Sequence, residues 1–174
     1  HYGFSVADVG DINGDGLHDV MAGALYAKAK MRAEAGGVDV FGFQPFLISN
    51  TRQVSASAGG VIDLQLDFPS SARKDRYRVL ISATGTGPTT YGVDIPLTQD
   101  QMVEWTYRGY YDFPHYTNLH GNLDSDGNAT ASATFSAGMW PGLIGRTYWI
   151  AAVANKFGQL PEFSSIAIPI EIVP

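Results

Sequence analysis

The sequence predicts an all-β fold, and two observations carry that prediction. Residues 61–68 alternate strictly in polarity, which puts Ile62, Leu64, Leu66 and Phe68 on one face of a strand. Similar short segments recur along the chain, separated by clusters of Gly, Pro, Asn and Ser that favour turns. Strands at this spacing indicate an antiparallel β-sandwich.

The same signals, alternation or enrichment in β-branched residues, predict the other strands. They fall at residues 4–9, 20–24, 38–43, 46–49, 77–83, 101–107, 129–135, 147–154 and 165–173. Only residues 25–35 favour a helix by composition. Their charges form no amphipathic stripe, so a long loop remains an equal alternative.

Composition excludes several functional classes. The 174 residues are 45% hydrophobic, which is enough for a packed core, and the net charge of −6 argues against a nucleic-acid partner. The chain has no cysteine, and therefore no disulfide frame, thiolate nucleophile or zinc–thiolate site. Its apolar runs are strand-sized, whereas a membrane-spanning helix needs about 20 residues, so we expect no membrane span. The chain begins at His1 without a signal-peptide pattern, which predicts a processed product or a fragment.

The sharpest motif is Asp11-Ile12-Asn13-Gly14-Asp15-Gly16-Leu17-His18-Asp19. Oxygen-bearing side chains stand at positions 1, 3, 5 and 9, and a glycine at position 6 permits a sharp turn. This spacing predicts a Ca²⁺ site formed by the side chains of Asp11, Asn13, Asp15 and Asp19 and the carbonyl of Leu17. The alternative is a plain turn, because Asp, Asn and Gly are also turn formers.

The flanks of the loop identify the type of calcium fold. A helix–loop–helix hand needs Glu at position 12, where this chain has Ala22, and both flanks are predicted strands. Several motifs flank the loop: Gly3-Phe4-Ser5-Val6, Asp19-Val20, Gly23-Ala24 and Gly37-Val38-Asp39-Val40-Phe41. Together with the loop they resemble one FG-GAP repeat, the calcium-binding blade unit of integrin-type propellers. The resemblance covers residues 1–43 and implies the same five ligands. Leu25 stands where the family usually has proline.

Composition changes near Gln44-Pro45, so we expect residues 1–43 and 44–174 to be separate domains. No second calcium loop follows, which makes the first domain a hairpin or partial propeller blade. The second domain more weakly resembles the immunoglobulin-like sandwich tails of large secreted bacterial proteins, in residues 55–64 and 119–130. Within it, Asp124-Ser125-Asp126-Gly127-Asn128 fits a hairpin with Asp-Gly at its tip better than another calcium loop.

Catalytic motifs are missing from the sequence, so we expect no enzyme. There is no Gly-x-Ser-x-Gly elbow, no His-Glu-x-x-His and no phosphate loop carrying lysine. His115 and His120 lack a third metal ligand, and Glu104 with Asp112 is a pair that any acidic protein offers.

An aromatic cluster leaves three interpretations open: a sugar-binding platform, a subunit interface or ordinary packing. Its members are Trp105, Tyr107, Tyr110, Tyr111, Phe113 and Tyr116. Trp140 and Trp149 lie beside predicted strands and are expected in the core.

These observations predict an extracellular or cell-surface, calcium-binding structural module of bacterial type. Unpaired strand edges would bind copies of itself or another surface protein, giving a filament, a surface array or an adhesive contact. Two alternatives remain: an accessory domain that binds glycans, and the C-terminal tail of a larger secreted hydrolase.

Overall fold

The computed structural model describes residues 3–10, 12, 18–24, 36–42, 45–111 and 115–174. The chain forms two compact units, His1–Pro45 and Phe46–Pro174. Strands dominate the described residues of both units, which confirms the all-β prediction. The predicted helix or loop at residues 25–35 lies outside the described residues.

The described residues of the first unit form one antiparallel sheet of three strands. These are β1 (Ser5–Asp8), β2 (Val20–Ala24) and β3 (Gly37–Phe41), with β2 in the centre. Their register aligns Asp8 with Val20 and Val20 with Phe41. All residues of β1 and β3 are exposed.

The second unit contains two larger sheets, a two-stranded hairpin and one α-helix. Its strands are β4 (Leu47–Ser49), β5 (Gln53–Ser55), β6 (Gly60–Asp67), β7 (Arg76–Ser82), β8 (Thr89–Tyr91), β9 (Val93–Ile95), β10 (Tyr116–Thr117), β11 (His120–Asn122), β12 (Asn128–Phe135), β13 (Thr147–Asn155), β14 (Phe163–Ser164) and β15 (Ile168–Val173). The helix α1 is Gln101–Tyr107, and short 3-10 turns occupy Ser70–Ala72 and Pro141–Leu143. One sheet has the order β10-β12-β6-β4; the other has β11-β7-β13-β15-β5, with β14 also paired to β13, while β8 and β9 form the hairpin.

The two sheets share one hydrophobic core. In β6, Ile62, Leu64 and Leu66 are buried and the intervening residues are exposed, as the alternation predicts. Phe68 continues the buried row beyond the strand. These side chains pack against the inward residues of β7, β13 and β15 from the other sheet.

The sheet containing β7 and β13 is also covered on its outer face. Leu80 of β7 and Val153 of β13 point away from the main core and pack with Ile95, Leu97 and Val103. This second core explains the continuous apolar run of β13, because a strand buried on both faces has no polar side.

Residues 101–107, predicted to be a strand, form α1 instead. Asp100 caps its N-terminus by accepting a hydrogen bond from the Val103 N–H at 2.8 Å. Gly109, at φ +84°, ends the helix in the left-handed conformation, and the N–H of Tyr110 reaches back to the carbonyl of Trp105. Capping at both ends fixes a helix too short to be stable alone.

Helix α1 and the residues after it cover the edge of β7 where β11 stops. The Ile81 N–H donates to Oγ1 of Thr106 at 3.2 Å, and the Tyr111 hydroxyl donates to the carbonyl of Val79 at 2.8 Å. Side chains thus replace a neighbouring strand along this edge. Across the described part of the chain, no helix is long and apolar enough to cross a membrane.

Candidate functional site

The predicted calcium loop joins β1 to β2, and one of its five predicted ligands is described. Asp19 stands immediately before β2 and is only 1% exposed. The other four, Asp11, Asn13, Asp15 and Leu17, lie outside the described residues.

Backbone hydrogen bonds close the neck of the loop. The Val9 N–H donates to the carbonyl of Asp19 at 3.1 Å, and the Asp19 N–H donates to the carbonyl of Gly10 at 2.8 Å. Gly10 has φ +70°, a conformation that glycine adopts without steric cost. These two hydrogen bonds hold the backbone at both ends of the loop, and they therefore fix where the Asp19 side chain leaves the backbone.

Only one of the two oxygens of the Asp19 carboxylate has a hydrogen-bond donor among the described residues. Its Oδ2 accepts a hydrogen bond from the Ile12 N–H at 2.9 Å, so this oxygen faces the loop. Its Oδ1 is buried and has no hydrogen-bond partner among the described residues. A buried carboxylate oxygen without a partner is unfavourable, because it has lost water and gained nothing in exchange.

A second acidic group lies beside the neck but is engaged elsewhere. Asp8 and Nδ1 of His18 share a hydrogen bond at 2.8 Å, and the Gly10 N–H donates to Asp8 at 2.9 Å. The His18 hydrogen bond, followed by the Gly10 bond, lowers the pKa of Asp8. Asp8 is exposed, so it differs from Asp19 in both burial and partners.

Metal-ligating side chains do not cluster elsewhere in the described residues: no three His, Asp or Glu there come close enough to share an ion. His120 instead stacks on Tyr111, with ring centroids 5.3 Å apart. Glu104 forms an ion pair with Arg108, one helical turn away, and Asp112 lies outside the described residues.

The Asp124–Asn128 segment is a turn between sheets rather than a hairpin. It connects β11 of one sheet to β12 of the other. Oδ1 of Asp124 accepts hydrogen bonds from the N–H groups of Asp126 and Asn128, both at 2.8 Å, and the backbone bonds around the turn lower the pKa of Asp124. Gly127 is required, because a Cβ there would lie 2.4 Å from the carbonyl oxygen of Phe68.

The aromatic cluster divides into packed and exposed members. Tyr107 stacks on Tyr91 with centroids 4.2 Å apart, and Tyr111 is tied to β7 by its hydroxyl. Trp105 and Tyr110 are 48% and 57% exposed. Ordinary packing therefore accounts for Tyr107 and Tyr111 but not for the exposed Trp105 and Tyr110. Phe113 lies outside the described residues.

The tryptophans expected in the core are both half-buried. Trp149 packs against the second core, beside Val153 and Leu80. Trp140 stands at the edge of the main core and contacts the ring of Phe135 at 4.9 Å between centroids.

Two carboxyl groups, one half-buried and one buried, were not identified from sequence. Asp100 binds the end of β7 as well as its helix: Oδ2 accepts from the Ala83 N–H and from the hydroxyls of Ser82 and Thr84, all within 2.9 Å. Asp75 is buried beside the Lys156–Glu162 ion pair, and its Oδ2 has no hydrogen-bond partner in the described residues. Asp100 had a sequence signal, an N-cap residue four positions before Glu104; Asp75 had none.

No protein-family model, curated protein or solved structure matches this chain.

Proposed function

We propose that this chain is a non-enzymatic, extracellular calcium-binding structural module. In this proposal the first unit is one FG-GAP-like repeat whose loop binds Ca²⁺ through Asp11, Asn13, Asp15, Asp19 and the Leu17 carbonyl. The observation that supports it is the unpartnered Oδ1 of the buried Asp19.

A cation explains this oxygen better than a plain turn does. In an Asx-type turn the carboxylate is satisfied by backbone N–H groups, as Asp124 is. Asp19 uses only Oδ2 in this way, toward Ile12, and leaves Oδ1 buried. Calcium takes six to eight oxygen ligands and would supply the missing partner, and it would cancel the repulsion among the three carboxylates that the proposed site brings together.

Assembly with other chains is the proposed purpose of the first unit. Both outer strands of its sheet, β1 and β3, have an edge with no strand partner among the described residues. Phe4, Val6, Val38, Val40 and Phe41 are all at least half exposed on or beside these strands. Free edges flanked by apolar side chains favour pairing with a copy of the chain or with another surface protein.

The second unit is proposed to be an immunoglobulin-like sandwich. Its strand order supports the proposal: β4-β6-β12-β10 corresponds to A-B-E-D, and β7-β13-β15 to C-F-G. The segment from β8 to α1 would then be an insertion after strand C, which packs on the outer face of the C-F-G sheet.

Calcium titration calorimetry tests the metal site, with Asp19→Asn compared with Asp8→Asn. Both variants remove one carboxylate, but Asp8 is exposed and paired with His18 outside the proposed ligand set. We expect one bound Ca²⁺, an affinity reduced about tenfold or more by Asp19→Asn, and little change with Asp8→Asn. Equal affinity in all three proteins would refute the site.

Light scattering and electron microscopy, with calcium and then with chelator, test assembly. Large ordered particles that dissociate on chelation are expected. A monomer of unchanged size at high concentration in both conditions would refute the assembly role while leaving the metal site to the calorimetry.

Glycan binding is the second candidate, favoured by the exposure of Trp105 and Tyr110 at the C-terminal end of α1. Aromatic rings presented to solvent stack on sugar faces. Glycan-array binding that is lost with Trp105→Ala and Tyr110→Ala, but kept with Phe157→Ala, would support it; Phe157 is also exposed. Absence of array binding by the unmodified chain would eliminate it.

A further inference from the structure

The main core of the second unit is not filled. A cavity of about 260 Å³ lies between the two sheets. Its inner wall consists of buried aliphatic side chains, among them Ile62, Val79 and Ile150, and includes Ala133. Protein interiors pack as densely as organic crystals, and voids much larger than a water molecule are few, so this one calls for an explanation.

The cavity has a rim of a different character. Phe135, Trp140 and Tyr148 line it and are only half buried, which places the opening on their side. Trp140 stands edge-on to Phe135 with centroids 4.9 Å apart, so the rim is itself packed. Met102 of α1 also reaches the cavity.

The lining determines which molecules fit. None of the lining residues is charged, so an ionised group inside would lose its hydration without compensation. A sugar would leave most of its hydroxyls unpaired against the aliphatic wall. At the rim, the Trp140 indole N–H and the Tyr148 hydroxyl make no hydrogen bond to another described residue. Both can donate to an acceptor on a ligand.

We propose that this cavity binds a compact, uncharged apolar molecule that carries one hydrogen-bond acceptor at its outer end. An apolar cavity of 150 Å³ holds benzene, so the larger space here accommodates about ten non-hydrogen atoms. The apolar body lies against Ile62, Val79 and Ile150, and the acceptor meets the Trp140 and Tyr148 donors at the rim. This site is independent of the calcium loop, which belongs to the other unit.

NMR titration of the intact chain with 1-octanol tests the site, with octanoate as the charged counterpart of the same length. We expect octanol to shift the amide signals of β6, β7 and β12 and the indole N–H signal of Trp140. Octanoate should bind at least about tenfold more weakly, because its carboxylate faces an uncharged lining. Absence of octanol shifts, or shifts confined to another surface, would overturn the proposal.

Two alanines of β12 provide a matched pair of variants. Ala133 and Ala131 are both buried in the main core, but only Ala133 lines the cavity. Ala133→Leu would fill the space, so we expect an unchanged or raised Tm and loss of octanol binding. Ala131→Leu adds the same bulk to the core away from this cavity and should lower the Tm. If both variants lowered the Tm by a similar amount, the cavity would have no room for the added side chain, and the proposal would be wrong.

Light scattering during the octanol titration distinguishes another occupant, an apolar side chain from a second copy. Octanol binding with no change in particle size supports the small-molecule site. Octanol that acts only by dissociating an oligomer would show that a neighbouring chain fills the cavity, and would overturn the proposal.

Discussion

Single carboxyl groups in this chain have opposite effects on its stability, depending on how many donors surround them. Burial alone would raise the pKa of Asp100, but the hydrogen bonds from Val103, Ala83, Ser82 and Thr84 outweigh it and lower the pKa. Asp75 has burial without such donors, and its pKa is raised. The two residues allow this balance to be measured within one protein.

Asp100→Ala is expected to lower the free energy of unfolding by about 1–2 kcal/mol at pH 7, the cost of losing a helix N-cap. Because the folded state lowers the pKa of Asp100, its stabilisation is complete above the unfolded pKa of about 3.9 and is lost as pH falls through the folded pKa. Denaturant unfolding at several pH values measures this. Asp67→Ala, which removes an exposed carboxylate, should show a much smaller effect.

Asp75→Asn is expected to stabilise the protein at pH 7. Burial, reinforced by Glu162 and opposed by Lys156, raises the pKa of Asp75 above its unfolded value. Ionisation therefore opposes folding as pH rises from the unfolded pKa through the folded one. Variant and wild type should have equal stability at low pH and diverge toward neutral pH. If Asp126→Asn, at an exposed position, gave the same gain, net charge would be the cause instead.

At the scale of elements, side chains complete the edge of β7. Thr106 accepts from the Ile81 N–H and donates to the carbonyl of Met102 at 2.8 Å, so one hydroxyl serves both strand and helix. Thr106 is buried, and water cannot replace it.

Thr106→Val keeps the shape but removes the acceptor for the Ile81 N–H. We expect a loss of about 1–3 kcal/mol in unfolding free energy, the cost of a buried donor left unpaired. Faster amide exchange at Ile81 would locate the effect. Thr106→Ser, which retains the hydroxyl, should recover most of the stability; if it does not, lost packing rather than the hydrogen bond is responsible.

Strands that are buried on one face were predictable from sequence, and those defined by long-range contacts were not. The alternation of β6 encodes its buried face directly, and all four expected core residues are buried. In α1, the apolar residues Val103, Trp105 and Tyr107 alternate with other residues as they would in a strand. This period-two pattern led to the prediction of a strand, although Asp100 and Gly109 cap a helix. Six strands were missed because segments of two or three residues carry too little periodicity: β5, β8, β9, β10, β11 and β14.

The candidate calcium site was predicted from local residue spacing, on which calcium coordination depends. Residue order alone identified Asp19 as a ligand candidate. Its burial and unpartnered Oδ1 depend on the folded neck of the loop. The cavity between the sheets had no sequence signal, since its lining is assembled from strands far apart in the chain.

At the scale of the whole molecule, the proposed calcium site and both hydrophobic cores belong to different units. All residues of the two cores lie within Phe46–Pro174. Metal removal should therefore affect the stability of the first unit alone.

Hydrogen exchange of the intact chain tests this separation. Chelation should speed amide exchange in β1, β2 and β3 and leave β6, β12 and β13 unchanged. Asp19→Asn in the presence of calcium should reproduce the exchange pattern of the chelated wild type. Uniform acceleration throughout the chain would contradict independent units, and no acceleration would contradict the metal site.

The pairing of β5 with β15 has a consequence for the order of events during synthesis. These strands are parallel, and Gln53 near the start of the second unit pairs with Glu171 near its end. β15 also lies between β5 and β13, so until it arrives β5 has no partner in this sheet and residues 147–150 of β13 lack one on that side. The sheet therefore cannot close until residues 168–173 have left the ribosome, and until then a nascent chain exposes these edges.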